Sequence, residues 1–264
     1  MTVADDLPPF LVLFFAFCFL SGVCESVLIT QWPRYISTRS NDSITCSHDD
    51  SNLLLMFWYQ QRENTNSMTL IGYGYENSPN YEGEFEKQFK LTRQSATKGA
   101  LTILKANPSH SAYLYIKFSS VLFDIKMKRC ANYEAYFGQG TKLTVLEEGI
   151  NITEPKVEII QPSKKECRDK NNKRKKTLLC VASDFYPDHV TLSWETIGGE
   201  MLGSVATDSA ARRNGMFYKL TSRLRVPAHQ WFNPGIEFKC TVNFFNGSGT
   251  EAFFAVVKCM LLKT

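Results

Sequence analysis

The cysteines are the residues of this 264-residue chain whose types and spacing point most directly to chemistry. Cys180 lies in an alternating, strand-like run, and Cys240 lies in a second run of the same kind. Trp194 follows Cys180 by fourteen positions inside another period-two segment, which places its indole beside a bond between the two cysteines. The pattern therefore predicts an oxidised Cys180–Cys240 pair that links two buried strands.

The histidines do not extend this chemistry to catalysis. The sequence contains no nucleophile elbow, His-Glu-x-x-His motif, glycine-rich phosphate loop or metal-spaced cysteine pair. We therefore expect no enzyme activity, no metal site and no cofactor. The four histidines stand apart from one another and from any such motif: His48, His110, His189 and His229.

The charge of the chain does not indicate a polyanionic partner. The formal net charge is +4, and the excess is concentrated between Lys164 and Lys176. A basic run of this kind is typical of a solvated loop. We expect no nucleic-acid partner.

The ends of the sequence bear on its compartment. The apolar segment Phe10–Leu20 is too short to span a bilayer and is followed by small residues, which predicts a signal peptide over residues 1–26. The chain would then enter the secretory pathway, where disulfides persist. The run Val256–Leu262 falls far short of about twenty apolar residues, so no membrane anchor is expected in the chain as written.

A second cysteine–tryptophan pattern occurs in the first half of the chain. Cys46 ends the strand-like run Ser43–Cys46, and Trp58 follows it by twelve residues. This half closes on the Phe-Gly-x-Gly sequence that begins at Phe137. The two glycines permit a bulge that twists the last strand, while Phe137 packs against a partner domain.

These elements resemble immunoglobulin domains. The Cys…Phe-Tyr-Pro…Trp…Cys series of the second half resembles a constant-type domain, and the first half resembles a variable-type domain with its joining segment. The resemblance implies an all-β fold of two immunoglobulin-like β-sandwich domains in tandem. A short polar linker favours domains that touch. The expected divisions are a variable-type domain at 27–146, a linker at 147–155, a constant-type domain at 156–258 with seven strands and a helical crossover at Pro227–Trp231, and a tail at 259–264.

Four further segments narrow the resemblance to the T-cell receptor beta chain of the bony-fish type: Val27–Gln31, Tyr81–Gly83, Gly203–Asp208 and Ser222–Pro227. The resemblance implies an antigen-recognition chain at the plasma membrane that pairs with an alpha chain, binds peptide–MHC and assembles with signalling subunits. One alternative is a soluble immunoglobulin-like binding protein, of light-chain or adhesion type. Another is a non-productive product of a mis-spliced or unrearranged junction.

The same resemblance assigns candidate site residues. Tyr59, Gln61 and Phe137 would form the chain-pairing face, and Gln61 could exchange two amide hydrogen bonds with its counterpart. Asn41, Asn151 and Asn246 head glycosylation sequons. The antigen-binding loops would contain His48, Asp49, Asp50, Ser51, Asn52, Tyr73, Gly74, Tyr75, Glu76, Asn77, Ala131, Asn132, Tyr133, Glu134 and Ala135.

One departure from the family concerns the partner of Cys46. Ile116 stands where the family has a cysteine, and the next cysteine is Cys130. Placing Cys130 on the strand would allow a Cys46–Cys130 disulfide but would turn Lys126 and Lys128 inward. The other threading points Ala112, Leu114 and Ile116 inward and buries no charge, so we prefer it. Residues 117–136 would then form an unusually long loop.

Cys167 and Cys259 are left over under either threading. For Cys259 the resemblance implies an interchain bridge just after the last strand, and the alternative is an incidental thiol near the chain end. Cys167 has no assigned role.

Overall fold

The computed structural model describes residues 27–62, 65, 67–75, 78–120, 136–168, 174–200 and 203–259. Within them the chain forms two β-sandwiches in succession, which confirms the predicted all-β architecture. No helix within these ranges is long and apolar enough to cross a membrane. The predicted signal peptide lies outside the described residues, as does the tail after Cys259.

The first sandwich packs one sheet in the order β1-β3-β8-β7 against another in the order β2-β11-β9-β4-β5-β6, with β10 paired to β9. Alternation of buried and exposed residues along the strands supplies the core between the sheets. Two short 3₁₀ helices span Phe85–Lys87 and Pro108–His110. The strands are β1 Ile29–Trp32, β2 Tyr35–Thr38, β3 Asp42–His48, β4 Leu55–Gln61, β5 Thr69–Tyr75, β6 Ser78–Tyr81, β7 Phe89–Ser95, β8 Lys98–Ile103, β9 Ala112–Ser119, β10 Tyr136–Phe137 and β11 Thr141–Val145.

The second sandwich packs a sheet in the order β12-β13-β17-β15 against a sheet in the order β14-β18-β19. Short α-helices span Lys164–Cys167 and Ala228–Trp231, and Pro227 caps the second, which confirms the predicted crossover. Both β15 and β16 pair with β17, so the described part of this half has eight strands where seven were expected. The strands are β12 Lys156–Ile160, β13 Lys176–Phe185, β14 Val190–Ile197, β15 Ser204–Thr207, β16 Arg212–Asn214, β17 Phe217–Val226, β18 Glu237–Phe245 and β19 Thr250–Val257.

The second sandwich is crossed by the predicted disulfide. Cys180 on β13 bonds Cys240 on β18, with a Cα–Cα distance of 6.3 Å. Trp194 lies directly opposite Cys240 in the β14–β18 register, and its Nε1 donates a hydrogen bond to Ser222 Oγ at 3.0 Å. The indole is thus packed beside the disulfide and anchored to the facing sheet.

The first sandwich repeats this arrangement without the covalent bond. Ile116 on β9 lies opposite Trp58, the position that corresponds to Cys240 opposite Trp194. The preferred threading is confirmed, because Ala112, Leu114 and Ile116 are all buried.

The Cys46–Cys130 bridge that the less preferred threading allowed is therefore corrected. Cys46 is a free, buried thiol whose Sγ lies 3.8 Å from Met56 Sδ. Burial raises the pKa of this thiol to about 12. Ile116 fills the place of the partner cysteine, and Cys130 lies outside the described residues.

Strand β9 is longer than the sequence predicted. The expected loop began at residue 117, but β9 continues to Ser119, and Phe118 is fully buried. The strand extends because β4 pairs with it as far as Ser119, and β10 pairs with its other edge, with Tyr136 opposite Phe118. Only residues 121–135 of the expected loop lie outside the described residues.

The two sandwiches contact each other, as the short linker indicated. Glu147 makes a paired ion contact with Arg213, with N–O distances of 2.6 and 2.9 Å. Lys142 of β11 forms a salt bridge with Asp188, and both side chains are largely buried. Charge pairing at these points fixes the two domains against one another.

His189 lies at the centre of this contact. Its Nδ1 is 3.2 Å from Ser37 Oγ, and its Nε2 is 2.7 Å from Thr144 Oγ1. The ring packs on Tyr35 with a centroid distance of 4.9 Å. Burial, and secondly the nearby Lys142 ammonium, lower the pKa of His189 to about 3, so the imidazole is neutral at physiological pH.

The free Cys46 predicts that one substitution restores the missing bond. Ile116→Cys places a thiol at the position equivalent to Cys240, so we expect a disulfide with Cys46 and a gain of about 2–4 kcal/mol in the free energy of unfolding. Non-reducing peptide mapping and urea denaturation measure both. Leu114→Cys is the matched control, because Leu114 is equally buried on β9 but lies opposite Gln60. If the folded Ile116→Cys protein kept free thiols at both positions, position 116 would not be equivalent to Cys240.

The domain contact predicts acid sensitivity. The pKa of His189 is about 3 in the folded chain and 6.5 in an exposed histidine, so between these values the unfolded chain binds one proton more. The contribution of His189 to stability is complete above pH 6.5 and falls as the pH drops toward 3, by up to about 1.4 kcal/mol per pH unit. Urea denaturation at several pH values, compared between the wild type and His189→Gln, isolates this term. Parallel pH profiles for the two proteins would refute it.

Candidate functional site

The strand ends that flank three connections lie together at one end of the first sandwich. In the sheet register, Leu55 at the start of β4 lies opposite Tyr75 at the end of β5 and opposite Ser119 at the end of β9. The start of β4 and the ends of β5 and β9 therefore lie side by side, and the β3–β4, β5–β6 and β9–β10 connections adjoin these strand ends. These are the three segments that the sequence assigned to antigen binding.

The first connection is ordered by its own aspartates. Asp49 Oδ1 accepts a hydrogen bond from Leu28 N at 3.0 Å, and Asp50 Oδ1 accepts one from Asn52 N at 2.9 Å. Ser51 and Asn52 are exposed at the tip. The connection therefore presents small polar side chains, and the two aspartate hydrogen bonds hold its backbone in place.

The assignment of His48 to the binding surface is corrected by the structure. His48 is the last residue of β3, is only 6% exposed and packs on the ring of Phe118 at a centroid distance of 4.1 Å. Its direction follows from the alternation of β3, in which Ile44, Cys46 and His48 all point inward. Burial and the nearby Arg93 guanidinium lower the pKa of His48, which keeps the ring neutral inside the core.

The second connection presents aromatic side chains. Tyr73 packs beside Phe57 of β4 with a centroid distance of 5.7 Å, and Tyr75 is exposed at the end of β5. Gly74 between them is buried against Met56. The remaining predicted residues of this loop, Glu76 and Asn77, lie outside the described residues, as does the whole third segment, Ala131–Ala135.

The predicted pairing residues lie on the outer face of the sheet that contains β4 and β9. The rings of Tyr59 and Phe137 are 6.2 Å apart, and Phe137 is 51% exposed. Gln61 follows on the same strand as Tyr59, and its Nε2 donates a hydrogen bond to Thr65 O at 3.1 Å. The structure thus brings the three residues onto one surface, which we call the outer aromatic face.

The Phe-Gly-x-Gly backbone positions Phe137 on this face. Gly138 N donates to Ile116 O at 2.9 Å, and a Cβ at Gly138 would lie 2.5 Å from Ile116 Cγ2. Gly140 has φ +85°, and a Cβ there would meet the ring of Tyr115 at 2.5 Å. Side chains at either position would push this segment away from β9.

Gln31 is a positioning residue to which sequence reasoning gave no role. Its buried side chain donates from Nε2 to Leu114 O at 2.8 Å and to Thr141 Oγ1 at 3.0 Å. Its Oε1 accepts from Gly140 N at 3.2 Å. The amide therefore ties β9 to the joining segment. The sequence held no local signal for this, because the partners lie more than eighty residues away along the chain.

The outer aromatic face also contains residues that the sequence analysis missed. Lys117 Nζ lies 5.5 Å from the ring centre of Phe57 and 5.9 Å from that of Phe137, within range of a cation–π interaction. Tyr113 and Tyr115 stack with a centroid distance of 6.4 Å. These residues could have been predicted from the sequence, since their side chains must point outward once Ala112, Leu114 and Ile116 point inward.

The described residues contain no group of three or more His, Cys, Asp or Glu side chains that could hold a metal ion. What the site offers is shape and contact chemistry. The outer aromatic face lies beside the end of the sheet where small polar and tyrosine side chains are exposed. Such surfaces suit protein recognition.

Comparisons with known proteins agree with this geometry. The immunoglobulin V-set domain family matches residues 33–146, and the immunoglobulin C1-set domain family matches residues 157–246. The chain is similar to a viral T-cell receptor beta chain-like protein of feline leukemia virus, with 34% identity over 242 residues that cover 89% of this chain and 72% of the viral protein.

Two further relatives support the same relationship. The C region of the T-cell receptor beta-2 chain of Mus musculus is 47% identical over 95 residues, which cover 36% of this chain and 53% of that region. A crystal structure of a chicken TCR superposes with a TM-score of 0.68 at 33% identity and covers 88% of this chain and 99% of that one. The chain therefore belongs to the T-cell receptor beta chain family, a family of immunoglobulin-type receptors that are not enzymes.

Proposed function

We propose that this chain pairs side by side with an alpha-type chain through the outer aromatic face, and that the adjoining loops bind a peptide held by an MHC molecule. The observation that carries the proposal is the half-exposed ring of Phe137, which lies beside Tyr59 on the outer aromatic face. An aromatic ring fixed by a glycine-permitted backbone and left open to solvent is suited to burial by a partner.

The energetics of the face favour a partner of the same fold. Fully burying a large apolar side chain contributes about 1.5–3 kcal/mol, and the face presents several aromatic rings together. A variable-type domain would offer a similar flat sheet. Pairing about a pseudo-twofold axis would then place Gln61 opposite its counterpart, and its amide would exchange the bond to Thr65 O for bonds across the interface.

The ligand-binding part of the proposal rests on the three connections whose flanking strand ends lie together. The residues we assign are Asp49–Asn52, Tyr73–Asn77 and Ala131–Ala135, with the buried His48 removed. The combination of rigid tyrosines with small polar side chains gives contact area at low entropic cost together with adaptable hydrogen bonds. The antigen would be read by these loops while the paired sheets hold them in register.

Assembly at the plasma membrane with signalling subunits completes the proposal and follows from the family. We also propose glycans at Asn41, Asn151 and Asn246. Asn41 and Asn151 are exposed, which suits a glycan. Asn246 Nδ2 contacts Glu251 Oε1, so modification there would replace that contact.

The pairing proposal predicts the effect of two substitutions. Phe137→Asp and Gln61→Arg should each weaken heterodimer formation with an alpha ectodomain by at least about tenfold, because each places a charge in the proposed interface. Co-expression of residues 27–258 with alpha ectodomains, followed by size-exclusion chromatography and titration, measures the change.

The matched control for Phe137→Asp is Met216→Asp. It adds the same negative charge at an apolar residue of similar exposure, 57%, on a turn of the constant-type domain. It should pair as the wild type does. Circular dichroism checks that all three variants stay folded. Unchanged pairing of both interface variants, or a folded wild-type protein that pairs with no alpha chain, would remove the proposal.

A further inference from the structure

Two of the free thiols among the described residues lie at the same end of the second sandwich. Strand β12 ends at Ile160, which pairs with Leu179 near the start of β13. Strand β19 ends at Val257, which pairs with Phe238 near the start of β18. The helix Ala228–Trp231 links the end of β17 to the start of β18 across this end, and β17 ends opposite the start of β13. Cys167 follows β12, and Cys259 follows β19, so the topology brings both to this end.

The position of Cys167 is fixed by the short helix that contains it. Ser163 and Glu166 form a reciprocal capping box at the helix start. Glu166 is also tied to β13, because its Oε1 accepts from Thr177 Oγ1 at 2.8 Å and its carbonyl oxygen accepts from Lys176 Nζ at 2.6 Å. Cys167 Sγ turns back toward the end of β12 and lies 3.8 Å from Pro162 O. The thiol is thus presented from an anchored turn.

Cys259 approaches from the other sheet. It packs against the core of the second sandwich two residues beyond the end of β19, and both thiols are half-buried. Strands β12 and β19 are in contact across the sandwich. Burial, and secondly the electrostatic influence of the Cys167 thiol, raise the pKa of Cys259, which agrees with two thiols that share one patch.

We propose that Cys167 and Cys259 form a second disulfide within the constant-type domain, which fastens the segment after β19 to the β12–β13 connection. This differs from the interchain role that the family resemblance implied for Cys259. The bond would occupy Cys259 within its own chain, so this residue would not attach a partner covalently.

Oxidation of the two cysteines requires an oxidant, and we assign this role to a small-molecule disulfide such as oxidised glutathione. One cysteine thiolate attacks a glutathione sulfur, forms a mixed disulfide and releases one glutathione thiolate. The second cysteine thiolate then attacks the sulfur of the first cysteine and releases the second glutathione. The two cysteines lose two protons and two electrons, and one oxidised glutathione becomes two reduced molecules.

Peptide mapping of the full chain, secreted from cells and blocked with N-ethylmaleimide at acidic pH, tests the bond. Trypsin cuts after Lys165 and Arg168 and after Lys258 and Lys263, so the two cysteines fall in short peptides. Mass spectrometry without reduction should find Glu166-Cys167-Arg168 joined to the peptide 259–263, and reduction should separate them. Maleimide on both peptides in the wild-type protein, or peptide 259–263 joined to any other peptide, would overturn the proposal.

Stability measurements give an independent reading. Cys167→Ser and Cys259→Ser should each lower the melting temperature of the constant-type domain by roughly 5 °C or more, and the double substitution should lower it no further. The single and double variants should have the same melting temperature because each substitution removes the same disulfide. Cys46→Ser is the control, because that thiol lies in the other sandwich and should leave this transition unchanged. Additive effects of the two substitutions would contradict a shared bond.

Discussion

Each sandwich depends on a tryptophan packed between its sheets, opposite one inward residue of the neighbouring strand. In the second sandwich Trp194 faces Cys240, and the disulfide to Cys180 joins the sheets covalently. In the first sandwich Trp58 faces Ile116, and the same contact is apolar. Cys46 remains there as a small buried group with its pKa near 12, which makes it a packing residue rather than a reactive thiol. The fold therefore tolerates loss of the bond as long as the space is filled.

The alternation of strand β9 determines both the core and the outer aromatic face. Leu114, Ile116 and Phe118 point inward and fill the centre of the sandwich. Their neighbours Tyr115 and Lys117 point outward and build the outer aromatic face. A shift of register by one residue would bury the charged and phenolic groups and expose the core, at a cost of several kcal/mol. The missing cysteine at position 116 thus leaves the register unchanged, because the pleat alone specifies it.

The alternation of inward and outward residues also explains how much of the fold could be predicted from the sequence. The two sandwiches, the Cys180–Cys240 bond and the inward residues of β9 follow from period-two patterns and short spacings. The extension of β9 to Ser119 could not be predicted, because its partners on β4 and β10 are distant from it in the sequence. The burial of His48 was missed because a polar residue after a strand usually belongs to a loop. The bonds of Gln31 join segments that are distant in the sequence, and such contacts leave no local pattern.

Strand β11 is tied both to Gln31, which holds the joining segment, and to the second domain. It pairs with β2 so that Thr144 lies beside Ser37 and Lys142 beside Tyr35, and this pair of strands meets His189 of the second domain. At its other end, Thr141 receives the Gln31 bond that holds the joining segment. Burying the Lys142–Asp188 pair costs desolvation energy, so its benefit lies in fixing one geometry rather than in adding stability. A neutral His189 completes that geometry without adding a third charge. The strand that is tied to the joining segment through Gln31 is therefore also the strand that contacts the second domain.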